Sequence, residues 1–301
     1  MGVANLLVLV CTSQLTPHAV GEPVPSARDL ERKILDYRRS LERGHVVLKE
    51  SHAISRNNPV YEKITRTYDL TFGGPSVRSI VNWKHPEWER TTRAIVTEKD
   101  YIKDDNDQFP VKMGAWSDRK DRPQDAIHPS LIGLLNGPLS EFRSREMADI
   151  FWYAARGVEP VVTAGQVGVE KAWRIDYQDP GRRLCATLIV VPRFGYGVTS
   201  IEVDTVAADG QIIPVHSTEA GYARYGDYWY PGKVVYRCSA RAGVSEEEIM
   251  EVESAEFNAR IDPKTFEIEG LGLPVDRRVL DPGRFMKLWD GKRLVDTVFG
   301  K

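Results

Sequence analysis

Cysteine, long apolar runs and a surplus of charge of either sign are all scarce in this sequence. Cys11, Cys185 and Cys238 are its three thiols; without a CxxC or any metal-ligand spacing they exclude zinc or iron–sulfur chemistry built on thiolates. Forty-one basic against 43 acidic residues give a net charge of -2. No Lys/Arg block is interleaved with aromatics, so the electrostatic footprint of a nucleic-acid binder is missing. Gly-x-Ser-x-Gly and phosphate-cradling glycine loops are absent as well, which removes the commonest signatures of a serine hydrolase and of a nucleotide site. No apolar run approaches the roughly 18 residues of a membrane span.

What is present is alternation. Trp173, Ile175 and Tyr177 share one parity while Arg174 and Asp176 take the other; Ile201, Val203 and Thr205 alternate with Glu202 and Asp204; Val234, Tyr236 and Cys238 alternate with Lys233 and Arg237. Such a period of two marks strands with one buried and one wet face. At 301 residues and 42% hydrophobic content, the chain has enough apolar surface for a sizeable core.

Residues 1–19 read as a secretory signal segment: Val3 to Cys11 is apolar, Thr12 to Thr16 polar, and Pro17-His18-Ala19 supplies a small-residue end. No Lys or Arg precedes Arg28, so the signal is weak or its start lies upstream. This places the protein in the periplasm or cell envelope. After a linker at 20–25 the spacing predicts a helix from Ser26 to Arg43, with Ser26 and Asp29 as a capping pair and Gly44 as its stop. Leu30, Ile34, Tyr37 and Leu41 form one stripe of it. Strands are expected at 45–51, 62–72, 77–84, 90–97 and near Tyr101. An irregular charged excursion follows to Pro129, and a second helix is expected at 139–156 with Phe142, Met147 and Ile150 on its apolar face. Seven further strands are expected between 158 and 258, with a less regular tail from Pro263. The domain reading is a single domain over 26–301 with a helical and loop insertion around 104–157.

The candidate chemical clusters read as structural. Asp104-Asp105-Asn106-Asp107 lacks the alternating ligands, central Gly and distal Glu of a calcium loop, and is expected to be a solvated loop. Glu246-Glu247-Glu248 reads as a solvated charge run at the start of a strand. His45, His52, His85, His128 and His216 are scattered and read as surface or strand histidines. Cys185 and Cys238 both lie in strand-like runs, where they are either two buried hydrophobes or, on neighbouring strands, a disulfide. The segment Tyr225-Gly226-Asp227-Tyr228-Trp229-Tyr230-Pro231 offers amphipathic contact surface for recognition, or packing that closes the end of a sheet. No catalytic residue, metal or cofactor is expected.

The order of parts is leader, amphipathic helix, meander, inserted helix and long strands, and it resembles the LolA-like superfamily of periplasmic lipoprotein carriers and their relatives. The stretch Tyr228-Trp229-Tyr230-Pro231-Gly232-Lys233-Val234-Val235-Tyr236, then Val252-Glu253-Ser254-Ala255-Glu256-Phe257-Asn258, Asp262-Pro263-Lys264-Thr265-Phe266 and Gly270-Leu271-Gly272-Leu273-Pro274 carry the resemblance, which runs from Ser26 to Val279. It implies a mainly β (α+β) fold: a strongly curved antiparallel sheet, a half-barrel covered by helices. It also implies a non-catalytic role, with an apolar small molecule or acyl chain held as by a carrier or sensor. Leu30, Ile34, Tyr37, Leu41, Trp83, Phe142, Trp173 and Trp229 would line that cavity or its helical lid. The chain departs from the carriers in length, in its charged loop before Pro129, and in offering no arginine that matches their ligand-binding one. The alternatives are an envelope module that binds a protein partner through a filled cavity, and third a hydrolase acting on envelope polymers.

Overall fold

In the computed structural model the described residues are 16–17, 23–55, 61–105, 110–115, 127–134, 159–179, 181, 183–240, 243–283 and 285–297. One α-helix, α1 (Ala27–Ser40), lies among them. The remainder is dominated by strands that join into a large, open, curved sheet. A first meander comprises β2 (Arg43–Ser55), β3 (Thr65–Gly73), β4 (Ser76–His85), β5 (Trp88–Val96), β6 (Asp100–Asp104) and β7 (Val111–Ala115). Preceding it is β1, the two residues Thr16–Pro17. A second meander comprises β8 (Val161–Val167), β9 (Glu170–Asp179), β10 (Leu184–Val191), β11 (Gly197–Val206), β12 (Ile212–Tyr225), β13 (Tyr228–Ala240) and β14 (Gly243–Phe257). The tail supplies β15 (Arg277–Leu280), β16 (Met286–Trp289) and β17 (Leu294–Asp296).

The two meanders meet at one seam. β14 pairs antiparallel with β2 from Glu246↔Ser55 to Phe257↔Gly44, so the last long strand lies beside the first. Successive hairpins extend the sheet to either side of it, through β3 to β7 in one direction and β13 to β8 in the other. The ladder is antiparallel except where β15 of the tail joins β7 in parallel at Val279↔Val111. At the seam Gly44 is required by close approach: a Cβ there would strike the Glu256 carbonyl. It therefore serves β2 instead of stopping the helix, which ends at Ser40 with Leu41 as its cap.

Burial follows the parity read from the sequence. Val46, Leu48, Tyr68, Leu70, Val81, Trp173, Ile175, Leu188, Ile201 and Val234 form one cluster with Leu30 and Ile34 of α1. Full burial of side chains of this size contributes about 1.5–3 kcal/mol each. Ser26 caps the helix by accepting from the Asp29 N–H at 3.1 Å, as expected of that capping pair.

Several expectations are corrected. The charged excursion contains β7, and the tail is a three-stranded extension with its own small core of Ile95, Ile102, Val111, Leu271, Val279 and Trp289. Asp104 is not solvated: fully buried, it accepts from Arg277 Nη2 at 2.6 Å and Arg93 Nη1 at 3.2 Å. Glu248 is likewise fully buried, within β14 and not at its start. Cys185 and Cys238 lie on β10 and β13, three ladder steps apart, about 14 Å at normal strand spacing. A disulfide needs Cα atoms within about 7 Å, so they do not bond to each other. Cys11, the expected helix 139–156 with Phe142, and all of the leader except Thr16–Pro17 lie outside the described residues. Among the described residues no helix is long and apolar enough to cross a membrane.

Candidate ligand-binding site beneath the helix

The stripe that buries Leu30 and Ile34 continues, one turn on, to a charged residue. Arg38 is 2% exposed. Its Nη2 donates to the Tyr222 hydroxyl at 2.9 Å, which in turn donates to the Val198 carbonyl at 3.3 Å. The guanidinium carbon stands 5.4 Å from the centre of the Tyr230 ring and 5.9 Å from that of Tyr222. No carboxylate forms an ion pair with it among the described residues, and Nη1 has no hydrogen-bond partner there. A buried guanidinium is normally paired. Arg38 instead presents an unspent donor to an aromatic enclosure, a setting that would hold an anionic or carbonyl oxygen strongly.

The aromatic hairpin between β12 and β13 builds that enclosure. Gly226 adopts φ +59° at the turn, a left-handed conformation that glycine takes without steric cost. The turn returns the chain so that Tyr230 lies in β13, with its hydroxyl donating to the Pro129 carbonyl at 2.6 Å. Tyr37 docks the helix onto this strand at both backbone atoms of Trp229, accepting from its N–H at 2.7 Å and donating to its carbonyl at 3.0 Å. Phe194 stacks on Tyr222 with centroids 5.4 Å apart. At Gly195, φ +67°, a Cβ would collide with the Tyr37 ring. Burial raises the hydroxyl pKa of Tyr37, Tyr222 and Tyr230, and pushes Tyr225 up to about 12. All four are therefore neutral hydrogen-bonding groups at ordinary pH.

The residues expected to line a cavity divide into three groups. Leu30, Ile34, Leu41 and Trp173 are buried members of the main cluster. Tyr37 and Trp229 are half-buried and bonded to each other beside Arg38. Trp83 packs against the cluster from β4, between the Arg66 guanidinium at 4.1 Å and that of Arg90 at 4.7 Å. Arg38 escapes the sequence reading because a charged residue is assigned by default to the wet side of a helix. It follows Ile34 by four, and that spacing is the available signal.

A second buried polar group is equally hidden in the sequence. Glu50 and His52 of β2, Arg66 and Tyr68 of β3, and Glu248 of β14 occupy the inward parity. Glu50 Oε1 receives Arg66 Nη1 at 2.8 Å and contacts His52 Nε2 at 3.2 Å, and Oε2 accepts from Tyr68 at 2.6 Å. Burial alone would raise the Glu50 pKa, but contacts with His52, Arg66 and Tyr68 outweigh it and hold the carboxyl below its usual range. Ligand atoms of Glu50, His52 and Glu248 lie within 4.8 Å of one another. Both Glu50 oxygens are already engaged, so a cation would have to compete with Arg66, and the group fits an internal charge network better than a metal centre. Polar residues at the parity of Leu48 and Leu70 are the signal here.

The chain is similar to a crystal structure of a Vibrio parahaemolyticus domain described as one of outer membrane lipoprotein sorting, at 11% identity and a TM-score of 0.45, over 81% of this chain and 97% of that one. An uncharacterized conserved protein from Thermus thermophilus aligns over 83% of this chain and 98% of its own, at 10% identity and a TM-score of 0.34. No family model and no curated protein matches the sequence.

Proposed function

We propose that the protein is an exported, non-catalytic binding protein that takes up an apolar ligand, such as a lipid or acyl chain, between α1 and the sheet, as a carrier or sensor in the bacterial envelope. The observation that carries this reading is Arg38: a cation 2% exposed, without a carboxylate, and with one Nη free among the described residues. The apolar stripe of α1 would suit the hydrocarbon part of the ligand and Arg38 its oxygen-bearing end. Binding would require α1 to move, since Leu30 and Ile34 are part of the packed core.

A second reading is a protein-binding envelope module with a filled interior. It is favoured by the aromatic packing around Arg38, where Phe194 touches both Tyr222 and Trp229. Native mass spectrometry of the protein purified from a bacterial host, followed by organic extraction, separates the two. A co-purifying acyl lipid that is lost in Arg38→Met supports the carrier or sensor. A clean apo mass, unchanged when the protein is incubated with phospholipid micelles, overturns it in favour of the protein-binding module.

A further inference from the structure

The hydrogen-bond donors of the enclosure around Arg38 are almost all committed within the protein. The Tyr37 hydroxyl is held between the N–H and the carbonyl of Trp229, and Tyr222 between Arg38 and the Val198 carbonyl. Tyr230 donates to the Pro129 carbonyl at 2.6 Å and Tyr225 to the Val252 carbonyl at 3.1 Å. A hydroxyl has one proton to give, so these four have no donor left for a ligand. In the Arg38 guanidinium, Nη2 is bonded to Tyr222, whereas Nη1 is buried without a hydrogen-bond partner. Among these five side chains the free donors therefore belong to one group, and it carries one positive charge.

That count selects the polar end of a ligand. A buried charge without a counterion is costly, and a ligand that supplies one anion removes the cost. A neutral ester or alcohol leaves the guanidinium uncompensated. A phosphate monoester brings about 1.5 to 2 negative charges and three acceptor oxygens, which exceeds what one guanidinium neutralises. A carboxylate brings a single charge over two oxygens, in the planar form that a guanidinium receives. The apolar end is set by the helix. Ile34 and Leu30 precede Arg38 by four and eight residues and lie together in the main cluster, so the stripe runs about 12 Å from the cation at 1.5 Å per residue. A long chain covers that distance, and acetate covers none of it.

We infer that the ligand beneath α1 is a long-chain free carboxylic acid, with its carboxylate on Arg38 and its hydrocarbon chain along Leu30 and Ile34. This rests on the binding role proposed above and narrows it from apolar ligands in general to one chemical class.

The test is displacement of cis-parinaric acid, a fluorescent polyene acid, from the delipidated full chain by dodecanoate, methyl dodecanoate, dodecyl phosphate and acetate. Dodecanoate should displace the probe at a concentration about tenfold or more below that of its methyl ester or of dodecyl phosphate, and acetate should not displace it. In Arg38→Met the acid and the ester should displace alike. The ranking on the unaltered protein keeps the test informative if Arg38→Met fails to fold. An ester or a phosphate as effective as the acid overturns the carboxylate class while leaving an apolar site in place. Displacement by acetate overturns the chain, and a preference for the acid retained in folded Arg38→Met overturns the residue. Absence of saturable probe binding overturns the binding role itself, and this inference with it.

Discussion

Arg66 Nη1 stands 2.8 Å from Glu50 Oε1 on the neighbouring strand, and the two side chains are 4% and 0% exposed. Both charges have been taken out of water, and their contact offsets a large part of that cost, beside the His52 and Tyr68 contacts of Glu50. Glu50→Ala should therefore destabilise the fold by about 3–5 kcal/mol, because it strands a buried guanidinium. The double change Glu50→Leu/Arg66→Met should recover most of that loss, since two apolar groups of similar volume need no partner. Urea unfolding of the single and double variants checks this, and a double variant as unstable as the single would contradict it.

That ion pair also marks the boundary of what can be read from the sequence. Period-two alternation locates nearly every long strand, and Leu184–Val191 is placed residue for residue, because one wet and one buried face is a local signal. The α1 stripe and its Ser26 cap are legible for the same reason. Asp104 and Glu248 look solvated in the sequence because burial of a charge depends on distant partners: Arg277, which holds Asp104, lies 173 residues away. β7, five residues long and containing Gly114, has little alternation of its own and is joined by a tail strand that the sequence places at the far end of the chain. At the candidate site Leu30, Ile34, Tyr37 and Trp229 are legible as an apolar set, whereas Arg38 looks solvated until its place beneath the helix is known.

His45 and His128 titrate in opposite senses. The hydrogen bond to Asp69 at 3.1 Å raises the His45 pKa above its ordinary 6.5, so its contribution is complete below about pH 6.5 and is lost as pH rises through the folded value. His128 is lowered by burial, with a bond to the Gly74 carbonyl opposing that shift. Its stabilising share is present above about pH 6.5 and is lost as pH falls toward the folded value. His45→Gln should therefore lose more stability than the wild type between about pH 8 and pH 5.5, because only the His128 penalty remains. The His45 and Asp69 side chains are 39% and 41% exposed, so the difference is small and screened by salt. Urea midpoints that run parallel for the two proteins would refute it.

Asp104 joins the tail to the first meander. It is fully buried and accepts from Arg277 of β15 and Arg93 of β5. Asp104→Ala leaves both cations facing an empty site and should cost about 3–5 kcal/mol. The loss should be local at first, because β15 also reaches β7 through two parallel pairs and the tail packs in its own small cluster. Hydrogen exchange is the appropriate probe: amides of residues 277–296 should lose protection before those of β10 to β13. Uniform loss across the sheet would show that the tail is not a separately opening unit.

Arg38 permits a separation of stability from binding. Its one hydrogen bond to a described residue is to Tyr222, whose hydroxyl also has the Val198 carbonyl as a partner. Replacing Arg38 with Met removes a buried charge that has no carboxylate beside it among the described residues, and strands no donor among them. Stability should be unchanged or should rise by about 1 kcal/mol, since exchanging a buried charge for an apolar group of similar volume is often neutral or favourable. Tyr37 still fastens α1 to Trp229 in that variant, so the helix should remain docked. A protein whose core is purely structural would carry the change without further consequence. If Arg38 addresses the oxygen-bearing end of an apolar ligand, the same variant should lose retention of an extracted lipid while unfolding at the same or a higher urea concentration. A marked loss of stability in Arg38→Met would instead make the arginine a structural post, held by its ring contacts with Tyr222 and Tyr230.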